Sequence, residues 1–322
     1  MDKSFPAERP LVTFALMAYN QERYILEAVE GALAQTYQPL EIIASDDCST
    51  DGTFDILRAV SRRYRGPHKL TVQRNRVNLG IAEHVNVLFE QARGRFVVLA
   101  AGDDIAVPDR TAITVRRMLQ PDRPTFVETA YEAIDQDGAV LHARKGAFPS
   151  DRSVSLKDVT EGRGRNFVGA ARTYNKDALL IYPGINARCP TEDSVLLLRS
   201  LLIGDGAYLG EIGVRRRSHS NNASGPDAIA RMDMPRIWAQ YRADIHVAQA
   251  AGVASPAQAA EVESWITVSS LRRAFRMTTL SQRLRLSVGI LLSEIKSGEM
   301  MRLIVHLMKL SFMRMGGKNA RP

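Results

Sequence analysis

Two hydrophobic patterns alternate through the first hundred residues: short continuous apolar runs, and stretches whose apolar positions recur every three or four residues. Residues 11–18, LVTFALMA, form a short apolar run between Pro10 and the polar pair Tyr19-Asn20, which predicts a fully buried strand. A helix is predicted over 22–33, where Ile25, Leu26, Val29, Ala32 and Leu33 keep helical spacing until residues 35–39 break it. A second buried strand follows at 40–44. The helix predicted at 53–63 comes after Ser49, Thr50 and Asp51, short polar side chains suited to capping its first amides. A strand at 69–73, a helix at 81–92 and a strand at 95–100 repeat the alternation.

This alternation predicts an α/β fold, a mostly parallel sheet covered by helices, with ligands gathered beyond the carboxyl ends of the strands. The polar pairs fall there. Tyr19-Asn20, Asp46-Asp47 and Asp103-Asp104 each follow directly on a predicted strand, so three separate segments converge on one rim. A lone Asp-Asp would carry little weight; the convergence is what points to a site.

Beyond residue 124 the pattern changes. FVETAYEAIDQDGAVL predicts a hairpin turned at Asp137-Gly138, a pair suited to positive φ. Residues 143–166 are rich in charge and glycine without clear periodicity, and a mobile loop is expected there. A strand at 168–173, a short helix at 176–180 and a helix at 191–203 follow. From 226 onward the pattern is helical throughout, with helices expected at 228–251, 256–277, 281–296 and 299–315. A domain boundary is placed at residue 225, giving a catalytic domain over 1–225 and a helical extension over 226–322.

With 45% hydrophobic and 24% charged residues in 322, the chain fits a soluble globular protein with a substantial core. Cys48 and Cys189 are too few and too isolated for a disulfide scaffold or a metal cluster. The N-terminus lacks the apolar core of a signal peptide and no apolar run reaches about 18 residues, so a cytoplasmic location is expected. The charge of +8 belongs to one end of the chain: residues 231–322 contain 14 basic and 6 acidic residues, and the rest is neutral. In that tail, RLIVHLMKLSFMRM over 302–315 leaves a wide apolar helix face. Such a face packs on protein or lies in an anionic membrane surface with its basic residues toward headgroups. Trp238 and Trp265 read as core or interface residues.

The ordered segments AYNQERYILEAVEGALAQTYQPLEIIASDDCSTDGT, NLGIAEHVN, GRFVVLAAGDDIAVPDR, TEDSVLLLR and RRRSHSNNAS resemble family 2 of the inverting glycosyltransferases over residues 10–224. That resemblance implies the GT-A fold and transfer of a sugar from a nucleotide sugar, with UDP or dTDP favoured, to a hydroxyl acceptor. Bacterial members often serve surface-polysaccharide assembly with lipid-linked or saccharide acceptors. It implies that Asp47 bonds the base, that Ala18, Tyr19, Asn20 and Glu22 line the nucleoside pocket, and that Asn78 and Gly80 close it. Asp104 becomes the direct ligand of a Mg²⁺ or Mn²⁺ ion, with Asp103 beside it on the ribose or around the metal. Hard divalent cations take carboxylate oxygens, and a diphosphate leaves readily only when its charge is stabilised.

Asp193 matches the family's general base, the acceptor-side carboxylate that single-step inversion requires. His219 matches a loop histidine that reaches the diphosphate or the metal, and Arg216 or Arg217 would neutralise phosphate charge. Two positions depart from the family. Ala101 stands where another aspartate is frequent, so the metal set rests on Asp103, Asp104 and His219, and Cys48 stands where glycine is frequent after the first Asp-Asp. The implied partners are the donor, the acceptor, an anionic membrane surface reached by the C-terminal helices and a second subunit, with no nucleic acid. Two other readings are a metal-dependent nucleotidyltransferase, although AYNQERY is no triphosphate loop, and an inactive scaffold that keeps the fold.

Overall fold

The structure, a computed structural model, describes residues 9–164, 167–220, 222 and 225–277. The first half follows the alternation: β1 (Val12–Ala18), α1 (Ile25–Leu33), β2 (Leu40–Asp46), α2 (Thr53–Arg63), β3 (Lys69–Arg74), α3 (Ile81–Gln91) and β4 (Phe96–Ala101). Then come β5 (Ile105–Ala106), α4 (Arg110–Met118), β6 (Phe126–Ile134), β7 (Val140–Lys145), β8 (Arg152–Val154), α5 (Leu156–Thr160), a 3₁₀ turn at Gly169–Ala171, β9 (Arg172–Asn175) and α6 (Lys176–Leu179). Helix α7 (Asp193–Ile203), β10 (Gly206–Arg217), α8 (Pro226–Arg231), α9 (Met234–Ala250) and α10 (Pro256–Met277) complete the described chain.

One mixed sheet runs in the order β3-β2-β1-β4-β9-β6-β10-β5, with β7 paired to β6 and β8 to β10. Strands β1, β2, β3 and β4 are parallel neighbours, and β9 turns the sheet antiparallel. Every residue of β1 and β2 is buried, as expected for mainly apolar strands covered on both faces, and the buried polar pair between them is matched, Thr13 Oγ1 donating to Glu41 at 2.6 Å. Phe14 and Leu16 of β1, Ile42 of β2 and Val98 of β4 form the core with Ile25, Ala28, Val29 and Ala32, the buried stripe of α1. Each large side chain here contributes about 1.5–3 kcal/mol by leaving water. The register sets the rim: Ala18 pairs with Asp46 and Met17 with Ala101, so β1, β2 and β4 end level with one another.

The hairpin forms as expected, with Gly138 at φ 88° between β6 and β7. Residues 143–166 differ from the expected loop. They contain the end of β7, then β8 and α5, and α5 is closed by a capping box in which Ser155 and Asp158 satisfy each other's amides. The strand predicted at 168–173 begins later, because its first half is the 3₁₀ turn. Strand β10, which no periodicity announced, is the longest among the described residues at 12 residues. The helices expected at 281–296 and 299–315 lie outside the described residues.

By packing, the chain divides between Ala259 and Ala260, so α9 belongs to the first compact unit beyond the boundary expected at 225. A buried ion pair accounts for this: Arg199 of α7 donates to Asp244 of α9 at 2.8 and 2.9 Å, and the Gln240 side chain joins Asp244 to the backbone amide of Asn186.

Candidate active site

Two loops are stitched together where β1 and β2 end. Asn20, at φ 52°, donates its amide to Ser49 Oγ at 2.8 Å and accepts the Thr50 amide on its side chain at 2.8 Å. Gln21 donates its amide to Thr53 Oγ1, and Glu22 accepts the Gly52 amide at 2.7 Å. Asn20 and Glu22 therefore shape this wall by holding the second loop, while Tyr19 stays 46% exposed above Ala18. Asp46 turns back to Ser49 and to Arg74 at 3.2 Å.

The buried Asp47 side chain points to the third loop. One oxygen accepts from Asn75 Nδ2 at 2.7 Å and the Leu79 amide at 2.9 Å, and the other accepts the Gly80 amide at 3.0 Å. A carboxylate offers about four acceptor positions, so one remains for a further donor. Gly80 sits at φ 76°, a conformation open to glycine at no steric cost, and Asn78 also accepts its amide. Cys48 takes φ 60°, so the turn does have the left-handed geometry for which the frequent glycine is suited.

At the end of β4, the Asp103-Asp104 pair is buried. Asp104 Oδ1 accepts the Arg217 amide at 2.8 Å, and Asp103 Oδ2 lies 2.9 Å from His219 Nε2 and accepts from Asn222 Nδ2 at 3.1 Å. Burial, followed by the adjacent Asp103 charge, pushes the Asp104 carboxyl up to about 8. The His219 ring stacks on Tyr24, with centroids 4.8 Å apart.

Arg217 and Arg216 part company here. The buried Arg217 guanidinium bonds Glu27 at 2.9 Å, the Asp103 carbonyl at 3.0 Å and the Gln136 carbonyl at 3.1 Å, and it lies over Tyr24. Its sequence-expected phosphate role gives way to a structural one, because those bonds consume the fork that would grip an anion. Arg216 is half-buried with its guanidinium over Tyr131, 5.6 Å from the ring centre.

Asp193 opens α7, and Thr191 Oγ1 donates to its Oδ1 at 2.8 Å. Its backbone carbonyl accepts from Arg172 Nη1 at 2.8 Å. The 3₁₀ turn whose Gly169 touches Asp193 also packs against β4, the strand that Asp103 and Asp104 follow. Burial and the neighbouring Asp193 push the Glu192 carboxyl up to about 8.

Among the described residues no group of three or more His, Cys, Asp or Glu side chains is arranged to hold a metal ion. His219 is turned onto Asp103 rather than standing beside both aspartates as a third ligand. The donor set still suits a hard cation: two buried carboxylates stand side by side, and the burial and mutual repulsion that push Asp104 up are what a divalent ion would offset. Two carboxylates with diphosphate oxygens also match how Mg²⁺ is commonly held.

Sequence reasoning missed Tyr24, Glu27, Asn222, Glu128, Arg172 and Gly169. Glu27 reads as an ordinary solvated position on a helix, and nothing in its spacing announces the partner Arg217, 190 positions away. Asn222 lies inside the quoted RRRSHSNNAS motif and could have been found there.

The profile described as glycosyl transferase family 2 matches residues 13–181. The putative teichuronic acid biosynthesis glycosyltransferase TuaG of Bacillus subtilis (strain 168) is 33% identical over 133 residues, covering 41% of this chain and 51% of that protein. An uncharacterized protein of Mycobacterium tuberculosis is 38% identical over 228 residues, 69% of this chain and 62% of its own length. The chain thus spans between half and two thirds of these relatives. Among solved structures, S. aureus TarS 1-349 in complex with UDP superposes with a TM-score of 0.59 at 17% identity, over 86% of this chain and 78% of that one. The mannosyltransferase PcManGT from Pyrobaculum calidifontis, in complex with GDP-Man and Mn²⁺, gives 0.53 at 18% identity, over 98% and 90%. At such identities the likeness is one of fold. The profile match over just over half of the chain, on a sheet with the GT-A layout, makes this chain a member of glycosyltransferase family 2.

Proposed function

We propose that this chain transfers a sugar from a nucleoside diphosphate sugar, UDP- or dTDP-linked, to a hydroxyl of a saccharide or lipid-linked acceptor with inversion, in the assembly of a surface polysaccharide or glycolipid. The observation that carries the reading is the level ending of β1, β2 and β4, which gathers Asp47 and the Asp103-Asp104 pair on one rim. In this reading Ala18, Tyr19, Asn20 and Glu22 form the nucleoside wall, and Asn78 and Gly80 close it. The open acceptor position on Asp47 takes the ring N–H of the base. UDP bound to TarS and teichuronic acid biosynthesis in the name of TuaG support the donor and the pathway class.

Asp103 and Asp104 would hold a divalent cation, which when bound stabilises charge on the departing diphosphate. Arg217 fixes Asp104 through its own amide and Asp103 through its carbonyl; Arg216 answers phosphate charge. His219 and Asn222 occupy Asp103 Oδ2 until the donor arrives, and His219 then reaches the diphosphate. Asp193 takes the proton from the attacking hydroxyl as the bond to the anomeric carbon forms opposite the leaving group. The basic tail, of which residues 278–322 lie outside the described residues, is the part that would meet anionic lipid at the cytoplasmic face. No described helix is long and apolar enough to cross a membrane.

The test is nucleotide release from UDP-, dTDP- and GDP-sugars with Mn²⁺ and no added acceptor, where water serves as a poor one. Slow release from a UDP- or dTDP-sugar, abolished by EDTA, is the expected result. No release from any donor, together with no UDP binding, would favour an inactive scaffold.

A further inference from the structure

The carboxylate read above as the base stands on a helix start whose position is set from underneath. Glu128 of β6 and Arg172 of β9 form an ion pair at 2.6 Å with both side chains 1% exposed. Glu128 also accepts the Val168 amide at 3.2 Å, just before the 3₁₀ turn, and Arg172 reaches Tyr174 Oη at 3.3 Å as well as the Asp193 carbonyl. One guanidinium therefore joins β6, β9 and α7. An ion pair this deep contributes little net stability, because desolvating both charges offsets their attraction. Its distinctive product here is geometric: the first residue of α7 is tied to the sheet.

Gly169 sets the distance from the other side. A Cβ built there would lie 2.4 Å from Asp193 Cβ and 3.3 Å from its Oδ2. The clash involves a Cβ, which no rotamer change can move, so any side chain at 169 pushes the turn and the helix start apart by about 1 Å. The turn packs against β4 and β6, so the turn and Asp193 cannot separate without straining that packing or the Arg172 bond to the Asp193 carbonyl.

We infer that Gly169 and Arg172 are positioning residues that fix the height of Asp193 over the end of β4, Gly169 as a floor without a side chain and Arg172 as a tether on the Asp193 carbonyl. This rests on the reading of Asp193 as base. A misplacement of about 1 Å at a reacting group costs up to about 100-fold in rate while leaving distant binding contacts intact. The nucleoside wall, on β1, β2 and the loop before α3, shares none of these contacts.

The experiment compares wild type, Asp193→Asn and Gly169→Ala in the full chain. UDP affinity is measured by calorimetry, and turnover and KM on the nucleotide sugar that wild type hydrolyses fastest. For Gly169→Ala, turnover is expected to fall by about 10-fold or more, with KM and UDP affinity within about 2-fold of wild type. Loss of folded protein would not spare UDP binding in this way. Wild-type turnover in Gly169→Ala, with Asp193→Asn inactive, overturns the positioning role and leaves the base reading standing. Wild-type turnover in Asp193→Asn overturns both. Should Gly169→Ala lose UDP binding, Arg172→Lys decides. It keeps a charge against Glu128 but lacks the fork that serves Glu128 and the Asp193 carbonyl together, so the same loss of turnover is expected and wild-type turnover overturns the inference.

Discussion

Residues at this rim divide into those that keep an acceptor position open, as Asp47 does, and those spent on holding others, as Arg217 is, and type alone does not sort them. The place of Asp103 and Asp104 beyond the end of β4 was legible because they follow directly on an apolar run. Arg217 was not, because an arginine in a basic run looks like an anion ligand until burial and Glu27 claim it. The Asp104 carboxyl makes a prediction about pH. Folded, it keeps its proton up to about pH 8; unfolded, it releases it near pH 4. Between those values the folded chain binds more protons, so this group's contribution to stability is fully present below the unfolded pKa and is lost as pH rises through the folded one. Glu192 adds to the trend with the same sign. The melting temperature in EDTA is expected to fall from about pH 5.5 to about pH 8.5, and less so in Asp104→Asn, whose amide oxygen still accepts from Arg217. Parallel profiles for the two proteins would contradict this account of the pair.

Among the elements, the parallel half was readable because β1, β2 and β4 are buried on both faces and are therefore mainly apolar, with Thr13 and Glu41 as buried polar exceptions that bond each other. Strand β10 escaped because its register with β6 shifts twice, between Leu209 and Ile212 and again between Ile212 and Val214, which destroys a two-residue period. The 3₁₀ turn was hidden for a related reason, since Val168 to Ala171 is apolar whichever local geometry it takes. Helix α9 is held by a feature that sequence cannot pair, the buried Arg199–Asp244 contact. Asp244→Ala strands the Arg199 charge and is expected to cost about 3–5 kcal/mol in urea unfolding, whereas replacing both partners by Met and Leu recovers most of that loss. Equal losses in the single and double variants would show that α9 depends on these side chains for more than charge pairing.

For the molecule as a whole, the neutral body and basic tail were visible in the sequence, whereas the extent of the first compact unit was not. Apolar spacing marks where helices begin and end, not which side of a division they pack on, so α9 looked like part of an extension. The family match, the level strand ends and the carboxylates at the rim support one account, a sugar transferase in which the donor lies along β1, β2 and β4 and the acceptor is deprotonated at the start of α7. That account concentrates on a single oxygen-bearing group. The most direct measurement is turnover of the preferred nucleotide sugar by Asp193→Asn beside its affinity for UDP. The account predicts wild-type UDP affinity with turnover reduced by about 100-fold or more, within the range that general-base catalysis contributes. Turnover equal to wild type at unchanged affinity would contradict it.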